Sequence, residues 1–205
     1  MAKPTQQEAA GPALIEVGFE GPFSWAGVPD GPSVFDSPAA GEPGIYLWTI
    51  AFDDGFLVYY VGETGRNHAV RLLEHYREHA AAMYHVYSPL EFLQGRKVPL
   101  WPGRYEKENR KSLPECIAAY PHLNHAIHEL TLGYRFFLAP LRCEARLRRR
   151  TEAAIADTLY SAPGVIGAFQ DRGIRYDRRT SEEGPVECRI KCSARIHGVP
   201  DVLFV

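Results

Sequence analysis

Residues 44–62 read GIYLWTIAFDDGFLVYYVG, and residues 63–83 continue with ETGRNHAVRLLEHYREHAAAM. The first of these segments is dense in β-branched and aromatic residues, which favour strands. It therefore predicts two strands, at 44–52 and 56–61, and the Asp-Asp-Gly sequence between them is typical of a hairpin turn. We take this hairpin as the centre of the fold.

The length of the turn decides which side chains share a face of the hairpin. A three-residue loop would form three cross-strand pairs: Phe52 with Phe56, Trp48 with Tyr60, and Tyr46 with Gly62. Tyr46 and Tyr60 would then lie diagonally on one face, roughly 7–8 Å apart at the backbone. A two-residue loop would put them on opposite faces, because side chains alternate along a strand. For the two tyrosines to act together, the hairpin needs the odd loop or a compensating bulge.

The segment after the hairpin predicts a helix that begins after Asn67, a suitable N-cap residue. Its apolar positions follow a helical spacing and predict the face that packs on the core: Ala69, Leu72, Leu73, Tyr76, Ala80 and Met83. Arg71 and His75 are four residues apart and share another face, which Glu78 and His79 extend. Taken alone, this polar stripe is typical of a helix face in solvent.

The second half of the chain predicts fewer regular elements. Residues 84–130 contain five prolines and are expected to form an insertion with short helices at most. A third strand is expected at 131–139. A helix is expected at 142–160, and the Pro-Gly pair at 163–164 ends it.

On the predicted 142–160 helix, five residues are expected to face inward: Leu147, Thr151, Ala154, Ile155 and Leu159. Glu152 lies on the other side. Its ordinary explanation is an ion pair with Arg148, four residues earlier, which contributes little at a surface.

The ends of the chain add less. Residues 1–12 are rich in Ala, Gly, Pro and Gln and are expected to be a mobile tail. Residues 13–19 are expected to form a short strand, residues 21–43 irregular structure, and residues 188–205 an edge strand.

Composition bounds the class of protein. The chain has 205 residues, of which 45% are apolar and 23% charged, as in an ordinary soluble domain with one core. No stretch has the apolar length of a membrane span, and the N-terminus lacks the apolar core of a signal peptide. We therefore expect a cytoplasmic protein without membrane association.

The net charge of −2 provides no overall basic field for nucleic acid, although two local clusters of arginine exist. One comprises Arg146, Arg148, Arg149 and Arg150, and the other Arg172, Arg175, Arg178 and Arg179. The pair Cys188 and Cys192, with His197 nearby, is half of a zinc-binding pattern. Ordinary thiols are the favoured interpretation, since no second ligand pair is close in sequence.

The residues singled out above resemble the signature of the GIY-YIG nuclease superfamily. Residues 44–46 read Gly-Ile-Tyr, and residues 60–62 read Tyr-Val-Gly, with Val in place of Ile. The arginine on the family's first helix matches Arg71, and the histidine or tyrosine one turn later matches His75. The glutamate on the later helix matches Glu152. The resemblance is close over 44–83 and looser over 131–163.

The resemblance implies an α+β fold with a small, mostly antiparallel, three-stranded sheet flanked by helices. A helical or irregular insertion at about 84–130 and an extra C-terminal strand region would complete it. The implied organisation is an N-terminal tail and extension over 1–43, a nuclease domain over 44–170, and a C-terminal extension over 171–205 packed on the same domain.

The family resemblance also implies roles for these side chains. Glu152 would hold one Mg²⁺ or Mn²⁺ ion, and Arg71 would clamp the scissile phosphate. Tyr46 would be the general base, and Tyr60 and His75 would orient it, the water or the phosphate. No organic cofactor is implied.

Further residues would support this site. Arg66, Arg148 and Arg149 are expected to contact DNA phosphates. Gly44 and Gly62 would be structural glycines, and Gly62 would be needed where substrate or a neighbouring side chain approaches the strand.

The implied activity is a metal-dependent endonuclease that hydrolyses phosphodiester bonds in DNA. A restriction or phage-defence role fits, since the insertion and the flanks would carry sequence readout. Cutting both strands with one site per chain implies a homodimer or sequential nicking.

Two alternatives stay open. The family usually has an asparagine about a dozen residues after the glutamate, whereas residues 161–165 read Ser-Ala-Pro-Gly-Val, and the separation of Arg71 and Glu152 is long. A weakened module that binds nucleic acid or a protein partner without cutting would explain this departure. The other alternative is an unrelated α/β domain with a packed aromatic face.

Glu144 is a less favoured candidate than Glu152 for the glutamate of the family pattern.

Overall fold

The structure is a computed structural model that describes residues 13–27, 31–104, 113–172 and 176–205. The predicted tail at 1–12 and Arg175 lie outside the described residues. Nine strands are described: β1 (Ala13–Phe23), β2 (Gly44–Phe52), β3 (Gly55–Thr64), β4 (Val86–Tyr87), β5 (Pro99–Trp101), β6 (Tyr134–Pro140), β7 (Val186–Cys192), β8 (Ile196–His197) and β9 (Val202–Phe204). Five α-helices are described: α1 (His68–Ala80), α2 (Pro89–Phe92), α3 (Leu113–Gly133), α4 (Ala145–Ser161) and α5 (Val165–Phe169).

The expected three-stranded fold is wrong. Seven strands form one curled, mixed sheet in the order β8-β3-β2-β6-β1-β7-β9, and β4 and β5 form a separate two-stranded sheet. The difference comes from the two flanks of the chain. β1 pairs antiparallel with β6 and parallel with β7, and β9 pairs with β7. These strands extend the sheet past β6, whose backbone would otherwise form an exposed edge.

β2 lies at the heart of the sheet, between β3 and β6, and is antiparallel to both. Its first seven residues, Gly44–Ile50, are all buried. A strand that is covered on both faces reads as a continuous apolar run rather than as an alternation. The predicted strand at 44–52 is confirmed, and its composition reflects this position.

The turn of the central hairpin has two residues, not three. Phe52 pairs with Gly55, so the predicted pair of Phe52 with Phe56 is wrong. Further along, Trp48 pairs with Tyr60 while Thr49 pairs with Val58.

Tyr59 is therefore an extra residue on β3, which is a β-bulge. The even turn and the bulge compensate each other, and the predicted pairs of Trp48 with Tyr60 and Tyr46 with Gly62 are confirmed. Each change shifts the alternation of side chains by one residue, so the two cancel beyond the bulge.

The sheet has a hydrophobic cluster on each of its faces. One contains Tyr46, Trp48 and Tyr59 together with residues of α1 and α3, and the other contains Ile45, Leu47 and residues of α4. Because Tyr59 is the bulge residue, it and Tyr60 both belong to the first face. Two consecutive tyrosines on one face are impossible in a regular strand.

Helix α1 begins as predicted, with the Asn67 side chain accepting a hydrogen bond from the amide of Val70. The predicted core face is confirmed for Leu72, which is fully buried, and for Ala69, which packs on the core, but it is wrong for Leu73 and Tyr76, which are 38% and 41% exposed.

The other buried residues of α1 are His68, His75 and His79. These histidines face inward because each finds a hydrogen-bond partner there: the backbone oxygens of Ala39 and Ile127 for His68 and His79, and two tyrosines, described below, for His75.

The region expected to hold only short helices contains the 21-residue helix α3. Pro121 lies inside α3 and removes one backbone hydrogen bond. Burial of the residues that α3 packs on the core outweighs this loss: Cys116, Leu123, Ala126, Ile127 and Leu130. Residues 131–133, which were predicted to begin the third strand, belong to α3 instead, so β6 begins at Tyr134.

Helix α4 begins three residues later than predicted and ends near the expected position. The predicted C-terminal strand region is present as β7 and β9, with β8 pairing next to β3. Within the described parts of the chain, no helix combines the length and the apolarity needed to cross a membrane.

Gly62 leaves room for the side chain of Tyr46. A Cβ atom on Gly62 would overlap with the ring and hydroxyl of Tyr46. The approach foreseen at Gly62 is thus made by a neighbouring side chain. Tyr46 itself is completely buried.

We expect Gly62→Ala to destabilise the protein by about 2–3 kcal/mol, because Tyr46 must shift within a packed core. Urea unfolding measures this loss. Gly18→Ala is the matched control, since Gly18 also lies in a strand and an added Cβ there meets nothing within 4 Å. Equal stability of the two variants would show that Tyr46 is not fixed by Gly62.

Candidate active site

Three side chains form a buried hydrogen-bonded chain on the α1 face of the sheet. The Tyr46 hydroxyl lies 2.7 Å from Nε2 of His75, and Nδ1 of His75 lies 2.9 Å from the Tyr84 hydroxyl. Tyr46 comes from β2, His75 from α1, and Tyr84 from the segment between α1 and β4. This chain explains why a polar residue on α1 is buried.

Burial decides the protonation of this chain. It lowers the pKa of His75 to about 3, with the charge of Arg71 acting in the same direction. A neutral imidazole has one N–H and one free lone pair, so it donates to one tyrosine and accepts from the other. Burial, and then the neighbouring Tyr60, raise the pKa of Tyr46 well above its usual range, and Arg71 lowers it. Tyr46 is therefore a neutral phenol in the resting protein.

Arg71 and Tyr60 complete the aromatic side of the site. The ring centroid of Tyr60 lies 6.0 Å from that of Tyr46 and 5.6 Å from that of His75. Burial opposes the charge of Arg71, but the neighbouring phenols of Tyr46 and Tyr60 hold its pKa above the usual range. Arg71 also donates to Glu74 at 3.3 Å, and about a third of its side chain is exposed. A positive charge therefore faces solvent beside the two tyrosines.

Glu152 comes to this place from α4, which packs on the other face of the sheet and against β3. Burial and the charge of Glu63 raise the pKa of Glu152 to about 7, whereas the Glu63 backbone and Arg71 lower it. The carboxylate of Glu152 also raises the pKa of Tyr60. Tyr46, Tyr60, Arg71 and His75 are thus packed together, and Glu152 lies within electrostatic reach of Tyr60 and Arg71.

The donor set can be compared with the needs of a divalent ion. Among residues 13–27, 31–104, 113–172 and 176–205, no three His, Cys, Asp or Glu side chains are grouped as metal ligands. Mg²⁺ commonly uses only one or two carboxylates and keeps waters and substrate phosphate. Glu152, half-buried beside the second carboxylate of Glu63, fits that limited requirement, because a cation there would relieve the repulsion between the two.

The environment of Cys188 and Cys192 does not favour the thiolate form that binds metals. Cys188 is buried in the core, and burial raises the pKa of its thiol to about 12. Burial also raises the pKa of Cys192 to about 11. Thiols of this kind are inert, in accordance with the ordinary interpretation of the pair.

The three arginines predicted to contact DNA differ in how they are paired. Arg66 is exposed and makes a bidentate ion pair with Glu74, with N–O distances of 2.7 and 2.8 Å. Arg149 is about half exposed and lies 3.0 Å from Asp177.

Arg148 is nearly buried, and its guanidinium donates to Glu63 at 2.6 Å. The expected surface pair of Arg148 with Glu152 is therefore replaced by a buried pair with another acid. Arg148 positions β3 against α4, whereas Arg66 and Arg149 are the cations of this set that solvent reaches.

Most of the remaining arginine clusters are neutralised locally. Arg146 pairs with Glu183 at 2.6 Å, and Arg178 pairs with Asp157 at 2.6 Å. Arg179 donates to the backbone of Glu183. The pairs of Arg146 and Arg178 tie α4 to the segment that follows α5, and Arg179 stabilises that segment internally.

The two glycines of the signature have distinct steric reasons. A Cβ atom on Gly44 would overlap with the carbonyl oxygen of Ala139 on β6, so Gly44 allows β2 and β6 to approach. Gly62 makes room for Tyr46, as described above. Both glycines therefore serve the placement of Tyr46, one through the backbone and one through the ring.

Sequence reasoning missed several residues of the site. Tyr84 and Asp171 lie in segments predicted as irregular or as an extension, and no periodic pattern marks them. Glu63 directly follows the Tyr-Val-Gly signature, and Glu74 lies one turn before Glu78 on α1. The available signal for Glu74 was its place between Arg71 and His75.

Comparison of the chain with protein-family models, with curated proteins and with solved structures finds no match in any of the three.

We expect the free energy of unfolding to fall as the pH drops from about 6.5 toward 5. Burial lowers the pKa of His68, His75 and His79, to about 3 for His75 and about 4 for His79. The unfolded chain binds these protons near pH 6.5, so acid favours it. Glu152 opposes this trend, because its raised pKa lets the folded state bind its proton first.

Three histidines outweigh one carboxyl, and the net loss between pH 7 and 5 is on the order of 2–4 kcal/mol. Urea unfolding at a series of pH values measures it. His79→Gln removes one of the buried titrating groups and should make the fall shallower. A stability that is level over this range would contradict neutral, buried histidines.

Proposed function

We propose that this protein is a metal-dependent endonuclease that hydrolyses phosphodiester bonds in DNA. One observation supports the proposal: β2, β3 and α1 pack Tyr46, Tyr60, Arg71 and His75 together, and Glu152 of α4 lies within electrostatic reach of Tyr60 and Arg71. These side chains are a phenol pair, a cation, a neutral imidazole and a carboxylate. Together they can activate water, bind a phosphate and hold a divalent ion.

Arg71 is the phosphate-binding group of this proposal. It is fixed by Glu74 on one side and lies next to the phenols of Tyr46 and Tyr60 on the other. Its partly exposed guanidinium offers a planar set of donors that suits two phosphate oxygens. Clamping the phosphate there would place it beside the Tyr46 and Tyr60 hydroxyls.

The proton path starts at the attacking water. The proton on the Tyr46 oxygen can be donated to Nε2 of His75, which leaves the phenol oxygen free to accept from water. As the water oxygen bonds to phosphorus, its proton passes to Tyr46 and the Tyr46 proton passes to His75. The Nδ1 proton of His75 can be donated to Tyr84, which spreads the developing charge.

A divalent ion held by Glu152 would supply Lewis-acid stabilisation of the leaving 3′ oxygen and the phosphate charge. The role of Glu152 would be to hold that ion. Tyr60 is within electrostatic reach of both Glu152 and Arg71 and keeps its proton, because burial and Glu152 both raise its pKa. It is therefore a hydrogen-bond donor that orients the phosphate.

A role in restriction or phage defence is part of the proposal, and the target is DNA. One site of this kind cuts one strand, so double-strand cleavage requires a homodimer or two successive nicks. Arg66 and Arg149 are the arginines we assign to the DNA backbone, because they are exposed beside the site. The proposed compartment is the cytoplasm.

A second candidate is a weakened module of the same kind that binds nucleic acid or a protein partner without cutting. The sequence after α4 favours it, since the asparagine of the family pattern has no counterpart in residues 161–165. The complete set of five side chains favours the enzyme. Cleavage assays separate the two.

We expect the protein to nick supercoiled plasmid DNA with Mg²⁺ or Mn²⁺, and EDTA to abolish the activity. Glu152→Ala should remove it, because the ion loses its protein ligand. Glu144→Ala is the matched control: Glu144 precedes the same helix, is exposed and makes no capping hydrogen bond, so activity should persist. Gel electrophoresis gives the readout. Metal-independent binding without cutting would favour the second candidate.

Tyr46→Phe should lower the cleavage rate by about 10²-fold or more while the protein stays folded, since it removes the first proton acceptor. Tyr134→Phe removes a hydroxyl from another fully buried tyrosine of the same sheet face and should leave the rate within a fewfold. Single-turnover cleavage measures both variants. A wild-type rate for Tyr46→Phe would exclude the proton path given above.

A further inference from the structure

A half-open cavity of about 200 Å³ lies next to Arg71. Its walls are mostly aromatic, and its lining is Trp48, Tyr59, Tyr60, Arg71, His75, Tyr84 and Asp171. Three of these belong to the proposed catalytic site. Trp48, Tyr59 and Asp171 take no part in the chemistry described above, and their purpose is therefore open.

The β-bulge builds this cavity. Tyr59 and Tyr60 are consecutive in sequence, yet both point to the α1 face because Tyr59 is the extra residue of the bulge. In a regular strand only one of them would reach the cavity. Bulges of this kind re-aim side chains next to functional sites. The bulge thus gives the cavity a second aromatic wall beside Trp48.

The floor and the mouth of the cavity differ in exposure. Trp48, Tyr59 and His75 are 3%, 7% and 4% exposed and form the floor. Arg71, with 34% of its side chain exposed, lies at the mouth. A phosphate bound at Arg71 would therefore leave the group attached to it at the entrance of an aromatic cavity.

One polar group in the lining calls for a ligand that donates a hydrogen bond. Asp171 is the acidic side chain of the lining, and its carboxyl oxygens are acceptors. Burial raises the pKa of this carboxyl, whereas the charges of Lys97 and His85 lower it. A neutral donor such as an amino group fits this acceptor among aromatic walls.

We propose that this cavity binds a single unpaired nucleobase that carries an exocyclic amino group, from the nucleotide whose phosphate Arg71 holds. The base would stack on the aromatic walls, and its amino group would donate a hydrogen bond to Asp171. This inference rests on the proposed function, since it takes the phosphate at Arg71 as given.

A base inside a duplex cannot reach the floor, because it is stacked and paired. The target nucleotide must be extruded or already unpaired, and extrusion costs least at mismatches, ends and single strands. The structure thus assigns a substrate class to the site: DNA with an unpaired cytosine, adenine or guanine next to the cut. Thymine has no exocyclic amino group and would be disfavoured.

Calorimetric titration of the full chain in EDTA tests the cavity without any cleavage. The probes are dCMP, dTMP and 2-deoxyribose 5-phosphate, which share a phosphate and differ in the base. We expect dCMP to bind at least about fivefold more tightly than the sugar phosphate, because stacking contributes to affinity. We expect dTMP to lie between them.

Trp48→Phe should weaken dCMP binding about three- to tenfold and leave the sugar phosphate unchanged, because only the base contacts the aromatic wall to which the indole belongs. Trp25→Phe is the matched control: Trp25 is equally buried, its indole N–H, like that of Trp48, is unpartnered among the described residues, and it lies outside the cavity. Asp171→Asn should abolish the preference for dCMP over dTMP, whereas Asp201→Asn, on an exposed segment, should not.

Equal affinity for dCMP and the sugar phosphate, or equal effects of Trp48→Phe and Trp25→Phe, would overturn the inference. Plasmid nicking that persists in either case would leave the proposed nuclease intact and show that the cavity holds only water. Base-dependent binding without any nicking would support the cavity and count against the nuclease.

Discussion

The buried hydrogen bond between the Tyr46 hydroxyl and the His75 imidazole is the interaction on which the rest of the structure depends. It joins the central strand β2 to α1, and it turns the polar stripe of that helix toward the sheet. A buried hydroxyl or imidazole without a partner would be costly, so the two groups stabilise the packing only together. The first face of the sheet is organised around this pair.

The Tyr46–His75 pair needs space for the tyrosine ring and an environment that keeps the imidazole neutral, and neighbouring residues provide both. Gly62 leaves room for the Tyr46 ring, and Gly44 lets β2 approach β6 so that the ring is enclosed. Enclosure keeps His75 neutral, which makes it an acceptor rather than a second cation beside Arg71. The chemistry proposed for the site thus depends on a dry environment that the core provides.

The strands of the central hairpin, the N-cap at Asn67 and the pairing of Tyr46 with Gly62 were predictable, because local residue types determine them. The inward face of α1 was not, since periodicity treats histidine as polar and cannot see the partners that bury it. The strands β1 and β7 pair across most of the chain, and α3 keeps Pro121 through packing, so neither follows from local pattern. Of the candidate site, the five signature residues follow from the sequence motifs and stay a prediction as to their roles, whereas Tyr84 and Asp171 have no local signal.

The compensation between the turn and Tyr59 has a consequence for how this hairpin can vary. Four residues on each strand separate the turn from the bulge, Gly55–Val58 opposite Thr49–Phe52. Deletion of Tyr59 would join Val58 directly to Tyr60, and both residues would keep their partners, Thr49 and Trp48, and their faces of the sheet. Only the aromatic wall of the cavity would be lost. A single residue of β3 therefore supplies this wall, and the pairing of the rest of the hairpin does not depend on it.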